Sequence, residues 1–315
     1  MATRKKGKDK DKLLILATII IVSLIIVFSW AFFSVFDSEE LTKSTIAVIP
    51  IYGPLTVYGQ SGGLLGGGTA GVEDTIELIE EVEKDSTVKA IIFEINSPGG
   101  TVVASKELAD AIKATNKPTV AWLREVAASG GYWTASACDK IVADPATITG
   151  SIGVIGSYLQ FSELMETYGI TYERLVSGEY KDTGSPYKEL TPREREMMMK
   201  KIDAINSFFI SAISTNRNLD KEYVQSLATG EIYLGVEAYE LQLVDVLGGR
   251  IEAKRTAEQL AGIKDSKLVT FEKEVSFWEL VGARTENSAY WIGRGIGDAW
   301  NIFTHKESRA IKAEI

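Results

Sequence analysis

Residues 13–36 run for 24 positions without one charged side chain, LLILATIIIVSLIIVFSWAFFSVF. Coiled as a helix, such a run is about 36 Å long, enough to cross a bilayer with some tilt. Trp30, Phe32 and Phe33 fall toward its far end, where aromatic rings suit the membrane interface. A cleaved export leader has a shorter apolar stretch and a small-residue cleavage site. Here the run continues into FSVFDSEEL with no A-x-A pattern, so the sequence predicts an uncleaved single-pass anchor. Residues 4–12 carry six basic and two acidic side chains, and Asp37, Glu39 and Glu40 follow the span. Positive charge stays on the cytoplasmic side, so the N-terminus is expected inside and the body outside the cell membrane.

The basic flank contributes +4 to the total charge of −9 and so leaves −13 on the remaining residues, a poor balance for gripping a phosphate backbone. No nucleic-acid partner is expected. Cys138 is the only cysteine, which rules out an internal disulfide and a cysteine metal cluster. His305 is the only histidine and lies ten residues from the end. Neither a cofactor nor a metal ion is expected.

Residues 1–12 form the basic N-terminus, 13–36 the anchor and 37–45 a polar linker. The body occupies residues 46–264, and 265–315 is a tail to which the sequence assigns no role. Within the body, residues 46–53 (IAVIPIYG) read as a buried strand ending at a glycine turn. Residues 59–71 hold seven glycines and read as a loop, either a plain surface loop or a lip over a site. VEDTIELIEEVEKD has helical spacing, with Val72, Ile76, Ile79 and Val82 on one face. VKAIIFEI reads as a strand covered on both sides. A helix over 105–114, a strand over 119–123, a helix from near Ser129 and a strand KIVA follow. This alternation argues for an α/β domain with a parallel sheet. SELMETYG reads as a helix and TYERLVSG as a strand. Thr191, Pro192 and Glu194 set a capping box for a long helix with an apolar stripe from Met198 to Ile213.

Three segments carry candidate chemistry. INSPGG, residues 95–100, follows an apolar strand, and glycines there let a substrate carbonyl approach backbone N–H groups. Alone it is most simply a turn. EVAASGGYW places Ser129 between a strand and a helix, beside the Gly130 N–H, much as serine hydrolases do, although G-x-S-x-G is absent. Alone it favours a helix-capping serine. SGEYKDTGSPY holds Lys181 among small residues, and alone that is a surface lysine. A nucleophilic serine needs a base, and a single distal histidine makes a Ser-His-Asp triad improbable. A lysine must fall from about 10.4 to roughly 7–8 to serve, which burial in an apolar site can do. Ser151, in TITGSIGVIG, is the candidate to orient that amine. Asp182 adjoins Lys181 and would oppose the shift, so its carboxylate is expected to point elsewhere.

In order, INSPGG, AASGGYW, DKIVADPATITGSIGVIG, YKDTGSPY and GEIYLGVEAYELQLVDVLGG resemble the signal peptide peptidase A family, over residues 46–261. The resemblance implies a ClpP/crotonase-like fold with a repeated ββα core. It implies a membrane-bound serine endopeptidase with a Ser129/Lys181 dyad, Gly100 and Gly130 as backbone oxyanion donors, and Ser151 beside the lysine. It further implies remnant signal peptides as substrates and, at this length, a homo-oligomeric ring in which serine and lysine come from different subunits. One alternative is a related Ser/Lys membrane protease acting on another membrane-associated protein, as stomatin proteases do. Others are an acyl-CoA-binding crotonase-type enzyme and a non-catalytic scaffold of the same fold.

Overall fold

The computed structural model describes residues 18–28, 44–59 and 71–273. Of the 24-residue apolar run, residues 18–28 are helical and exposed (α1), and the remainder lies outside the described residues. No described helix is long and apolar enough to cross a membrane. Most of the glycine-rich stretch, residues 60–70, also lies outside them.

The core is built on three long strands, β1 (Thr45–Tyr52), β2 (Val88–Ser97) and β3 (Thr119–Ala128). β1 and β2 are apolar and rich in β-branched residues through their middles, β3 is apolar up to Leu123, and the three pair in parallel. β4 (Lys140–Ala143), β5 (Ile148–Gly150), β6 (Ile232–Leu234), β7 (Val246–Leu247) and β8 (Lys267–Thr270) complete a mixed sheet. Its order is β6-β5-β3-β2-β1-β8, with β4 joining β3 to β7, and only the β5–β6 pair is antiparallel. β8 lies beyond residue 264, so the sheet draws in the start of the segment to which the sequence assigns no role.

Strand residues alternate between two cores, as the two-residue period requires. Ala47, Ile49 and Ile51 face α2 (Val72–Lys84), α3 (Val102–Ala114) and α4 (Gly130–Ser136). Ile46 and Val48 face α9 (Arg250–Ala261), which packs through Ala253 and Ala257. α6 (Pro192–Arg217) begins with the expected capping box, the Glu194 N–H donating to Thr191 Oγ1. It buries Phe209, Ile210 and Ile213 against the first core, while Met198, Ile202 and Ile205 stay half-buried. Two short helices, α7 (Lys221–Leu227) and α8 (Gly235–Glu240), close that side.

Two elements differ from the sequence reading. β3 runs to Ala128 rather than stopping at residue 123. The register shifts between Ile95↔Leu123 and Ser97↔Ala127, so β3 bulges, and Asn96 Oδ1 fills the gap by accepting from the Val126 N–H at 3.1 Å. The bulge turns the charged Arg124-Glu125 pair outward, which is why those residues read as a strand end. The second difference is TYERLVSG, residues 171–178, which is not a strand. Its residues are exposed, and it pairs with no described strand, so its backbone groups face water. It belongs to a long excursion, residues 153–191, in which α5 (Ser162–Thr167) is the one described helix.

Candidate active site

The bulged end of β3 delivers Ser129 to the carboxyl edge of the sheet. Its N–H donates to the Gly150 carbonyl at 2.8 Å, and its own carbonyl receives the Trp133 N–H at 2.9 Å, which starts α4. Held from both sides, Ser129 sits at φ 52°, ψ −121°, a conformation that costs an L-residue of order 1–3 kcal/mol. Its hydroxyl makes no capping hydrogen bond, so the helix-cap reading does not describe it. α4 itself is seated firmly. Tyr132 is fully buried with its hydroxyl donating to the Leu243 carbonyl at 2.9 Å. The Trp133 ring stacks on Phe209 at 4.5 Å between centroids.

Gly130 and Gly100 meet beside this serine. A Cβ at Gly130 would lie 2.1 Å from the Ser105 Oγ and 3.2 Å from the Gly100 N, so a side chain there would have to displace the Ser105 hydroxyl. A Cβ at Gly100 would lie 2.0 Å from the Leu55 carbonyl oxygen. Leu55 donates to the Gly99 carbonyl and accepts from the Thr101 N–H, both at 2.9 Å. Backbone groups alternate along an extended chain, so the Gly100 N–H between those two bonds faces away from Leu55. The Gly130 N–H opens a helix and has no carbonyl one turn back to bond. Two uncommitted N–H groups therefore lie next to an uncommitted hydroxyl, the arrangement a tetrahedral oxyanion requires.

Ser151 follows the last β3–β5 pair, Ala128↔Gly150, and so lies alongside Ser129. It too has positive φ, 50°, and its N–H donates to the Glu231 carbonyl at 2.7 Å. Lys181 is elsewhere. It is exposed on a turn spanning residues 177–184, and among the described residues no hydrogen bond or ion pair joins it to Ser129. That turn is tied to the first turn of α6 by Thr183 Oγ1 donating to Glu194 Oε1 at 3.1 Å. Glu194 and Phe209, which stacks on Trp133, are separated by about 22 Å of helix. Within one chain, Ser129, Gly130, Gly100 and Ser151 come together and Lys181 stands apart.

Asp182 points away from Lys181, as the sequence requires of a usable lysine. Arg174 grips it with Nε at 2.6 Å and Nη2 at 2.9 Å, and Lys188 Nζ lies 3.8 Å from it. The Arg174 contact holds the Asp182 carboxyl below its ordinary value. Lys188 donates to Glu194 at 2.7 Å, and with the Thr191 N–H it pulls that carboxyl down to about 2. Arg174 and Lys188 have no motif that marks them in the sequence, and Glu194 shows there only as a capping residue. Ser105 and Leu55 give no signal either. Cys138 is buried, and burial pushes its thiol up, which leaves it inert as a rival nucleophile. Among the described residues no group of three or more His, Cys, Asp or Glu is placed to hold a metal ion.

Residues 111–264 match peptidase family S49. A Methanocaldococcus jannaschii protein named as a protease is 35% identical over 225 residues, 71% of this chain and 72% of that one. An Enterococcus faecium protein named as a signal peptide peptidase is 30% identical over 236 residues, 74% of this chain and 66% of that one. Among solved structures, a membrane-bound stomatin-specific protease in complex with a substrate peptide aligns with 78% of this chain and 99% of its own. That alignment has a TM-score of 0.49 and 15% sequence identity. With that kinship, the chain belongs to the signal peptide peptidase A group of peptidase family S49 and is a serine protease.

Proposed function

We propose that this protease is a membrane-anchored endopeptidase in which Ser129 of one copy works with Lys181 of a neighbouring copy. The observation that carries the reading is the strained Ser129, whose hydroxyl is uncommitted beside the Gly100 and Gly130 N–H groups. In the proposed cycle the neutral Lys181 amine takes the Ser129 proton as Oγ attacks a peptide carbonyl. The oxyanion settles on the two N–H groups. The tetrahedral intermediate collapses, the ammonium returns its proton to the leaving amine, and water then hydrolyses the acyl-enzyme with the same base. In this cycle Ser151, which follows the β3–β5 pair next to Ser129, would hold the incoming amine.

Two features support an assembly of copies. The turn that carries Lys181 is tied to the first turn of α6, while Phe209, farther along that helix, stacks on Trp133 next to the serine, and the 153–191 excursion exposes apolar side chains, Ile155 at 87% and Leu175 at 86%. Docking of that surface onto a second copy would bury the apolar groups and dry the amine, and dehydration disfavours an ammonium. A ring of ClpP/crotonase-like subunits satisfies both. The proposed substrates are remnant signal peptides, apolar segments left in the membrane on which the N-terminal anchor would hold the enzyme.

The test is co-expression. Ser129→Ala and Lys181→Ala should each be inactive on a hydrophobic fluorogenic peptide, and the two chains expressed together should regain activity. A co-expressed pair that assembles normally and stays inactive would rule out sharing between subunits. An active Lys181→Ala protein would rule out the dyad.

A further inference from the structure

Four connections on the amino rim of the sheet, where its parallel strands begin, carry lysine. Lys84 ends α2 and Lys89 opens β2. Lys113 ends α3, Lys117 precedes β3 and Lys140 starts β4. Lys264 follows α9, and Lys267 starts β8. Strand register puts them on one surface, since Thr45 pairs with both Val88 and Lys267, and Val120 pairs with Lys140. Lys117 Nζ reaches across to the Asp85 carbonyl and to the Val88 carbonyl at 2.9 Å, which joins the first two connections.

Residues 83–89, 113–119, 139–140 and 262–267 hold seven lysines and four carboxylates, in a chain whose net charge is −9. Three of the carboxylates are turned onto their own connections. Glu83 accepts from the Thr115 hydroxyl and the Asn116 N–H, Asp85 from Thr87 and Asp139 from Thr119. A fifth connection, from α8 to β7, brings Asp245, which pairs with Lys140 and Arg217. Lys84 lies 3.7 Å from Glu80, with both side chains well exposed. Lys89 Nζ donates to the Ser86 carbonyl at 2.7 Å, and such a bond holds an ammonium without cancelling its charge. Lys113 and Lys264 stand exposed. The negative ends of α2 and α3 point at this rim and account for Lys84 and Lys113. Lys89 and Lys267 are strand residues, for which helix dipoles give no reason. No large apolar side chain is exposed on these segments, so the surface suits a wet, charged partner better than the core of a protein contact.

We propose that the amino rim docks on the phosphate headgroups of an anionic bilayer through Lys84, Lys89, Lys113 and Lys264. The inference rests on reading residues 13–36 as an anchor. Thr45 enters β1 on this same rim, and residues 37–44 alone separate it from that anchor. Fully extended, those eight residues reach about 28 Å, so a bilayer holding the anchor lies within that distance of the lysines. The negative potential of anionic lipids falls off within a Debye length, about 8 Å at physiological salt. The linker is long enough to let the rim settle into that layer, and the lysines supply the attraction that keeps it there.

The experiment reconstitutes the full chain in vesicles of phosphatidylcholine, alone or with roughly a third phosphatidylglycerol. Lysines are labelled with a water-soluble amine reagent and read residue by residue by mass spectrometry. In the anionic vesicles Lys84, Lys89, Lys113 and Lys264 should react about threefold more slowly than in the neutral ones, and about 0.5 M salt should remove the difference. Lys106, at the opposite end of α3, and Lys200 on α6 are exposed and should react alike in both. The triple variant Lys84→Gln, Lys113→Gln, Lys264→Gln should lose the protection at Lys89 and keep the parent peptidase rate in detergent. Rim lysines that react no more slowly than Lys106 and Lys200 overturn the proposal. Protection equally strong in neutral vesicles overturns it too, and would put a second copy on the rim. An alkaline carbonate wash of the neutral vesicles separates the two readings. A chain that stays with the lipid while its rim is unprotected sinks the docking alone, whereas a chain that washes off removes the anchor and the docking with it.

Discussion

Ser129 is held at positive φ by bonds to Gly150 and Trp133, and its hydroxyl makes no capping bond in return. Strain of this kind persists where the surroundings over-determine a residue. Glycine adopts the same conformation without penalty. Ser129→Gly should therefore be more stable to urea than Ser129→Ala by roughly 1–2 kcal/mol, with both inactive. Equal midpoints would mean the strain is absent. At this scale Ser129 and Gly130 could be singled out as candidates because AASGGYW packs small residues around a lone hydroxyl after a strand. Ser105 and Leu55, which shape the same corner, could not. A buried serine bonded to its own helix and a leucine bridging through its backbone leave no pattern in side-chain type.

Among elements, α2, β1, β2 and α6 were readable because apolar period and capping chemistry agree along each of them. Residues 171–178 misled because alternating apolar and polar residues describe a strand only where a partner strand exists. In the proposed assembly those apolar groups would be covered by a second copy. Thr183 and Lys188 tie this excursion to α6 through Glu194, and its stability should follow acid. Glu194 is charged in the fold down to about 2 against an ordinary 4.5. A depressed carboxyl stabilises fully above its ordinary value and progressively less as pH falls through the lowered one. Amide protection factors over residues 170–191 should fall between pH 4.5 and about 2 while those of β1 to β3 hold. Simultaneous loss across the sheet would contradict a separately held excursion.

For the whole molecule, the parallel α/β body could be inferred from the strand–helix rhythm, but the sheet's recruitment of β8 could not. Four residues pairing with β1 are too short to announce themselves. Nor does a sequence say which apolar stripe meets the core and which a second copy. Leu175 is 86% exposed at the tip of that question. Leu175→Asp should leave the circular dichroism spectrum intact, lower the mass seen in light scattering and abolish peptidase activity. Parent mass and parent rate together would show that this face is not the subunit contact.

The three long strands of the sheet, β1, β2 and β3, point one way. The chain enters β1 at Thr45 on the amino rim, and Ser129 stands beyond the carboxyl rim, a strand length of about 26 Å further on. The proposed tether in front of Thr45 would pull on the rim opposite the scissors. With the strands upright on a bilayer, a peptide held in lipid would have to extend by about that span before its carbonyl met the serine. By reach alone, the polarity of the sheet would spare segments that remain embedded and select those already working loose.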